Sequence, residues 1–390
     1  MTYIIESIKY FMMNPIWLFA LVSLILVGYV RVKRERSQFY TRIESGLDEM
    51  KEGMFKGLGV GILASILFVG IGIVVSPLYL LLLTGVLLIL LFFFNFIFLS
   101  AIYPLIITFF AMFFFLQVEE GLTLFGTTFE QSISMNQLAI SLLFISAILL
   151  MGESILLLHL MKRSPSPHLK KTARGRYVGA FRMKQLWLVP ILFIIPGSWV
   201  EALPYWPQLN YGETSFAFVL FPYIIGFQRQ WLSTYPKEGL QIERKRLIQL
   251  SFLSLILGVV SLIYVDLAIY ALGVVGLFAL LRSFIALMKE RKDEAFVKPL
   301  NEGLPIVGVL PNSPAEQMGL QIGEVIRSVN QQVVHDEKEF YEAVQKNAAH
   351  CRLQVLGRDQ EIRLEQTVLF EQDHFKLGLL FMTEKATYGK

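Results

Sequence analysis

A block of 61 residues without a single Lys, Arg, Asp or Glu, from 58 to 118, constrains this chain more than any other feature. A membrane-crossing helix needs about 20 consecutive apolar residues, because its side chains and backbone groups must do without water. The block therefore predicts three crossings, with turns near Ser76–Pro77 and near Asn95. We expect a chain that contains such a block to be an integral membrane protein.

Charge divides the chain into two parts near Met288. Only 17% of the 390 residues are charged, whereas soluble proteins carry about 25%. Up to Met288 there are 22 Lys and Arg against 15 Asp and Glu, and after it 13 against 16. The basic surplus lies in short connections between apolar runs, as in proteins that face anionic lipid, and this disfavours nucleic-acid binding. We expect a transmembrane domain over 1–288, a charged linker over 289–299, a soluble domain over 300–382 and a tail over 383–390.

Nine apolar runs are candidates for membrane-crossing helices. They lie near 14–30, 58–75, 78–95, 97–118, 138–161, 186–203, 215–232, 247–264 and 267–288. About seven crossings are expected instead if a short run, such as 215–232, is re-entrant. The N-terminus does not resemble a cleavable secretory signal, because the run Ile16–Val30 is followed by a basic segment.

Lys and Arg collect in alternate connections, and this distribution predicts the orientation of the chain. Segments 31–57, 162–184 and 228–246 hold seven, eight and five of them, respectively. Segments 119–137 and 201–213 carry only acidic charges. Since basic connections remain in the cytoplasm, we expect a multi-pass protein of the cell membrane with an external N-terminus and a cytoplasmic C-terminal domain.

One ionisable residue, Glu153, lies inside the apolar run 138–161. An ionisable side chain in hydrocarbon is costly and often marks a functional site. Alternatively, Glu153 lies toward the cytoplasmic end of its helix and is solvated, or paired there with His159, Lys162 or Arg163. Both interpretations are compatible with the sequence.

The C-terminal part alternates short strand, turn and helix signals. Leu304–Leu310 is a β-branched apolar strand, and Ser313 is placed to cap a very short helix. Val325–Val329 is a second strand, and Asp336 caps a second helix. Further strands are expected over Arg352–Leu356, Glu361–Thr367 and Phe375–Phe381.

The segment from Ile306 to Asn330 resembles the bacterial PDZ signature. It has an apolar strand followed by Ser-Pro-Ala, Gly-Leu, Gly-Glu, Val-Ile and Val-Asn in that order. Glu324 stands where the signature has Asp, and Gln331 stands where it has Gly, which is expected to weaken one turn slightly and to leave the fold intact. The fold class implied is a polytopic α-helical membrane domain followed by a small α+β PDZ domain of the circularly permuted bacterial type.

The PDZ resemblance implies a groove for peptide C-termini or internal strands. Such domains capture a carboxylate on the backbone N–H groups of an apolar-Gly-apolar loop and add the peptide as an extra strand. Leu377-Gly378-Leu379 fits this loop, and the helix Glu337–Gln345 supplies the opposite wall. The peptide-binding residues implied are Glu337, Tyr341, Val344, Lys376, Leu377, Gly378 and Leu379.

The same loop also has a plainer interpretation. Leu377 and Leu379 could be ordinary core residues, as apolar residues beside a strand often are. Gly378 is expected to let the ligand backbone approach closely. Gly378→Val is therefore expected to abolish binding while the domain stays folded, and Tyr341→Ala to weaken binding less.

No catalytic, metal or cofactor motif is visible in the sequence. The five histidines do not form the His-Glu-x-x-His motif of a membrane metalloprotease. Cys351 is the single cysteine, which excludes an internal disulfide and a cysteine-based metal site. We expect a protein that is not an enzyme and that binds no cofactor.

Many spans with short connections, followed by one PDZ domain, resemble the MinJ family of rod-shaped Gram-positive bacteria. The resemblance implies a scaffold in division-site selection that links a DivIVA-like polar and septal marker to a MinD-like division inhibitor and contacts other division proteins. It also implies enrichment at the division septum and poles. Two alternatives stay open: a regulatory partner of a membrane protease, and a transporter with an appended PDZ domain.

Overall fold

The computed structural model describes residues 14–115, 122–124, 127–129, 133–172, 175, 177–196, 208–211, 214–299, 303–346, 350–368 and 377–382. Within these ranges the N-terminal part has seven apolar α-helices: α1 Pro15–Phe39, α2 Asp48–Ile71, α3 Pro77–Phe92, α4 Tyr103–Phe115, α5 Met135–Leu160, α6 Pro236–Ile263 and α7 Ala268–Lys292. Five of these helical segments are long and apolar enough to cross a membrane, whereas α3 and α4 are shorter. The prediction of a multi-helix membrane protein is confirmed.

Six strands lie between the helices of this part. They are β1 Leu122–Leu124, β2 Thr127–Phe129, β3 Ser166–Lys171, β4 Tyr177–Pro196, β5 Gln208–Tyr211 and β6 Thr214–Trp231. β1 and β2 pair with each other, and the other four form a sheet in the order β3-β4-β6-β5. The long pair β4–β6 is antiparallel over sixteen residue pairs.

Two of the predicted spans are strands and not helices. Of these runs, residues 186–196 lie in β4 and residues 215–231 lie in β6. Proline disfavours a helix in both runs, since it removes an N–H donor and clashes with the preceding turn. In the hairpin Pro190 lies opposite Pro222, an arrangement that a non-hydrogen-bonded pair of an antiparallel ladder allows, because it requires no N–H from either residue. The prediction of nine helical runs is wrong for these two.

A helix covers the open edge of β4. Glycines line one face of α2 at four-residue spacing, namely Gly53, Gly57 and Gly61. A Cβ added at Gly57 would lie 2.1 Å from the carbonyl oxygen of Leu188, so the helix backbone touches the strand directly. One turn further on, the Ser65 hydroxyl accepts a 2.9 Å hydrogen bond from the Leu192 N–H. Strand edges must be paired or covered inside a bilayer, and α2 provides this cover.

Ion pairs join α1 and α2 to the segment that follows α5. Glu49 is buried and accepts hydrogen bonds from Arg31 and Arg163. Arg163 also pairs with Glu44. The segment 162–184, predicted as a simple connection, is folded structure instead, because it contains β3 and the start of β4.

Glu153 is buried in the membrane domain and only 2% exposed. Its carboxylate accepts hydrogen bonds from the Ser100 hydroxyl (2.8 Å) and the Ala101 N–H (2.9 Å). Both donors lie just before α4, separated from it by Ile102, where the helix dipole favours a negative charge. The interpretation that Glu153 is solvated, or paired with the basic residues after its helix, is wrong.

The C-terminal part is a small β-rich domain. Its elements are β7 Leu304–Val309, α8 Pro314–Gln317, β8 Val325–Val329, β9 Gln332–Val333, α9 Glu337–Gln345, β10 His350–Leu356, β11 Ile362–Val368 and β12 Leu379–Phe381. The sheet order is β11-β10-β8-β7-β12, with β9 paired to β8. Ile306, Phe340 and Leu353 are fully buried in its core. Both predicted helices and the predicted strands are present, but the strand predicted over Phe375–Phe381 is only Leu379–Phe381, and Phe375 and Lys376 lie outside the described residues.

The two parts of the chain are joined by more than a linker. Residues 289–292 extend α7, and Phe296 then donates a 2.8 Å hydrogen bond to the carbonyl of Leu232. Val297 forms an antiparallel bridge with Gly179 on β4. The residues predicted as a charged linker therefore hold the C-terminal domain against the membrane domain.

Candidate peptide-binding groove

The loop before β12 is anchored by its carbonyl groups. The Leu377 carbonyl accepts a 3.0 Å hydrogen bond from the Ala315 N–H, at the start of α8. The Gly378 carbonyl accepts a 2.7 Å hydrogen bond from the Leu310 N–H. Since both carbonyls are engaged on the side of α8, the loop is fixed in one orientation.

Glycine at 378 is required by the fold itself. Its φ is +85°, in the left-handed region that favours glycine. A Cβ at this position would lie 2.2 Å from the Cβ of Ser313 and 2.3 Å from its Oγ. Gly378→Val is therefore expected to disturb the domain, contrary to the expectation from sequence that the domain stays folded.

β12 lies at one end of the sheet. It pairs antiparallel with β7, with Leu379 opposite Val309, and no strand among the described residues pairs with its other edge. A free edge of this kind is the template on which an extended peptide can add as a further strand.

Helix α9 forms a wall next to β12. The Asp336 carboxylate caps it by accepting a 2.7 Å hydrogen bond from the Glu339 N–H. Its Phe340 ring packs on the ring of Phe381, with the centroids 4.8 Å apart. Helix and strand are therefore neighbours, as the predicted groove requires.

The predicted residues differ in how far they can reach a ligand. Val344, Leu377 and Leu379 are buried in the domain core, at 0%, 0% and 3% exposure. Tyr341 and Glu337 are half-buried on α9, while Lys376 lies outside the described residues. A peptide in this groove would meet the side chains of Tyr341 and Glu337 and the backbone of the loop, whereas Val344 serves the core.

Tyr341 is a neutral hydrogen-bonding group in this setting. Burial raises the pKa of its phenol to about 12, and the nearby charge of Glu337 acts in the same direction. Its ring also packs edge-on against Phe340 at 5.3 Å. Tyr341 therefore offers a ligand an apolar ring with a protonated hydroxyl.

Both departures from the PDZ signature are accommodated. The Glu324 carboxylate accepts hydrogen bonds from the Gln321 N–H (2.8 Å) and from Arg363 (2.9 Å). Gln331 adopts a φ of +69°, which glycine would adopt without strain. The PDZ fold is therefore kept, and the turn at Gln331 is strained, as expected from the sequence.

Sequence reasoning missed the residues that hold the loop from behind, Leu310, Ser313 and Ala315. The sequence signal in this region is Ser-Pro-Ala, which predicts the start of a helix. It does not indicate that an N–H group at the start of that helix binds the loop before the last strand.

Comparison with known proteins identifies the family. The family described as "PDZ domain" matches residues 306–356. The Bacillus subtilis (strain 168) protein named "Cell division topological determinant MinJ" is 31% identical over 387 residues, which cover 98% of this chain and 95% of that relative. The chain belongs to the MinJ family. Its PDZ domain and its resemblance to MinJ, both predicted from the sequence, are confirmed.

Two further MinJ proteins match a shorter part of the chain. Those of Lacticaseibacillus paracasei and Lacticaseibacillus casei (strain BD-II), each named "Probable cell division topological determinant MinJ", are 29% identical over 233 residues. The matches cover 56% of this chain and 59% of each relative. MinJ family members are thus named for a role in cell division and not for an enzymatic activity, and the PDZ domain indicates that the role involves protein–protein interaction.

Proposed function

We propose that this protein is a membrane scaffold for division-site selection, which recruits partner proteins through its PDZ groove. The observation that carries the proposal is a groove with a free strand edge and an anchored loop, in a chain that aligns with a MinJ protein over nearly its whole length. In this proposal the helices keep the protein in the membrane, and the groove binds a peptide C-terminus or an internal strand.

The partners proposed are a DivIVA-like polar and septal marker and a MinD-like division inhibitor, which the scaffold would connect. The contact between the two parts of the chain supports such a link. Arg358, in the PDZ domain, forms a 2.9 Å ion pair with Glu238 on α6 and lies 4.2 Å from the ring centroid of Tyr235. A domain held in this way presents its groove at a set position relative to the membrane.

The proposed orientation places the PDZ domain in the cytoplasm. The Lys and Arg distribution supports this orientation. Replacing two predicted helical spans by the β4–β6 hairpin leaves the orientation unchanged, because two crossings fewer keep the total number of crossings odd. Alkaline phosphatase fused at the C-terminus should be inactive, and a fluorescent protein there should glow. An active phosphatase at the C-terminus, with an inactive one inserted in 119–137, would contradict the orientation.

Imaging in dividing cells tests the function. A fluorescent fusion is expected to concentrate at septa and poles, and deletion of the gene is expected to misplace septa. Tyr341→Ala should reduce co-localisation with the division inhibitor, while Lys338→Ala, on the exposed side of the same helix, should not. Uniform membrane fluorescence through the cell cycle with normal septum placement after deletion would refute the division role, and unchanged recruitment by a stable Tyr341→Ala protein would refute the groove.

A further inference from the structure

A cavity lined by cations lies between α1, the end of α3 and the start of β4. Its volume is 240 Å³. The charged side chains that line it are Arg31, Arg34, Arg182 and Lys184, and apolar side chains of α1 and the rings of residues 93–94 complete it. The lining that the structure describes includes no acidic residue.

Only one of these four cations forms an ion pair in the described part of the chain. Arg31 donates hydrogen bonds to the carboxylates of Glu35 and Glu49. In the described part of the chain, the other three form no ion pair with an acidic side chain. Three cations therefore line one cavity without a direct ion pair, and the Glu35 carboxylate is linked to Arg34 only through the Ser166 hydroxyl.

Two of these three have only neutral partners. Arg34 donates a 2.8 Å hydrogen bond to the Ser166 hydroxyl, and its Nε is buried without a partner among the described residues. The Lys184 ammonium donates to the Phe94 carbonyl and lies 3.4 Å from the centroid of the Phe94 ring. Buried cations with unused donors are costly unless an anion binds them.

The excess positive charge reaches His168 on β3. Burial and the nearby charges of Arg34 and Arg182 together lower the pKa of His168 to about 4. Its Nδ1 is buried and unpaired within the described ranges. The charges of Arg34 and Arg182 therefore act on β3 as well as on the cavity.

The cavity lies where the apolar surface of the membrane domain ends. On α1, Val30 is still 48% exposed, and the charged residues begin at Arg31. At the end of α3, Phe92 and Phe93 are 79% and 70% exposed. A boundary between exposed apolar residues and basic residues is typical of the level of the lipid headgroups.

We propose that this cavity binds the phosphate headgroup of an anionic phospholipid. Arg34, Arg182 and Lys184 would donate charge-assisted hydrogen bonds to the phosphate oxygens. The acyl chains would lie against the exposed apolar side chains of α1 and the end of α3. Free phosphate shares the head chemistry but lacks these chains, so the two sources can be separated by experiment.

The first test uses the full chain without substitutions, purified in detergent. Phosphatidylglycerol, phosphatidylcholine and inorganic phosphate are added separately at equal concentrations, and thermal unfolding and retention of lipid in native mass spectrometry are measured. Phosphatidylglycerol alone is expected to raise the unfolding midpoint and to remain bound. Equal effects of phosphatidylcholine would overturn the requirement for an anionic head, and equal effects of inorganic phosphate would overturn the assignment to a lipid.

The second test locates the site. Arg34→Gln combined with Arg182→Gln is expected to weaken phosphatidylglycerol binding by at least about tenfold, since each lost charge-assisted hydrogen bond costs about that much. Lys33→Gln combined with Arg36→Gln removes two charges from exposed positions of the same helix and is expected to leave binding within about twofold of the unaltered chain. Equal losses in the two variants would show a diffuse surface effect and refute the cavity. If the Arg34→Gln, Arg182→Gln variant does not fold, the comparison of phosphatidylglycerol with phosphatidylcholine and inorganic phosphate on the unaltered chain still tests whether the protein binds an anionic lipid.

Discussion

Gly378→Ala is expected to destabilise the PDZ domain by about 2–5 kcal/mol. A residue other than glycine at the observed φ of +85° costs about 1–2 kcal/mol. The new Cβ would lie 2.2 Å from the Cβ of Ser313, and relieving such overpacking costs about 1–3 kcal/mol more. The total is a large part of the roughly 4–12 kcal/mol that stabilises a domain of about 80 residues.

Gly319→Ala is the matched control for the backbone contribution. Gly319 has a similar φ of +72°, but an added Cβ would meet nothing within 4 Å. The control is therefore expected to cost only about 1–2 kcal/mol. The difference between the two variants measures the clash with Ser313.

Hydrogen exchange in the full-length chain provides the assay. The N–H groups of Leu310 and Ala315 donate to the carbonyls of Gly378 and Leu377, so their exchange reports on the loop directly. Exchange through local opening accelerates about tenfold for every 1.4 kcal/mol lost. We expect an acceleration of more than about tenfold in Gly378→Ala and a smaller one in Gly319→Ala.

A double substitution tests the reasoning about the clash. Ser313→Gly removes the opposing Cβ, and glycine as the helix N-cap costs only a few tenths of a kcal/mol. Combined with Gly378→Ala, it is expected to recover about 1–3 kcal/mol relative to the sum of the single variants. Strict additivity of the two substitutions would refute the steric explanation.

Three further predictions follow from local geometry. Gly57→Ala is expected to destabilise the membrane domain by about 1–3 kcal/mol, because its Cβ would meet the backbone of β4. Gly59→Ala, on the same helix with open space around it, should stabilise the domain by up to about 1 kcal/mol. Thermal unfolding of both variants in the same detergent compares them, and equal unfolding midpoints would contradict the close packing of α2 on β4. Burial raises the pKa of Cys351 to about 12, so the thiol should react with iodoacetamide at about pH 8 only after unfolding, and the stability associated with its neutral form should decline as the pH rises from about 9 to about 12. Rapid labelling of the folded chain would show that Cys351 is accessible. Gln331→Gly should stabilise the PDZ domain by about 0.5–1 kcal/mol, and an unchanged unfolding midpoint would mean that the turn is not strained.

Much of the PDZ domain could be predicted because its signals are local. Ser313 and Asp336 cap helices through side-chain oxygens that reach N–H groups three residues away, and such contacts depend only on neighbouring residues. The loop Leu377-Gly378-Leu379 was inferred from the PDZ resemblance, and its role in binding stays a prediction. The core position of Val344 was not predicted, because whether a helix residue faces the core or the groove depends on how the whole helix packs.

The two strands of the membrane part show where a sequence pattern is insufficient. A long apolar run is expected of a membrane-spanning helix, and it is equally expected of a strand buried on both faces. Contacts with α2 stabilise β4 as a strand: the glycines of α2 approach its backbone, and Ser65 accepts a hydrogen bond from the Leu192 N–H. Those partners lie more than 100 residues away in the chain, so no local pattern in 186–203 could indicate them.

The apolar runs and turn signals of the sequence were sufficient to predict a membrane protein with a C-terminal PDZ domain, because these patterns act over a few residues. The folded structure was needed to show which apolar runs are strands, which donors bind Glu153, and which charges form no ion pair. Arg34 and Arg182 are 148 positions apart in the sequence, yet they line the same cavity. Glu35, the acidic neighbour of Arg34 in the sequence, binds Arg31 and Ser166. Whether a charge is neutralised depends on distances in space, which only the folded chain sets.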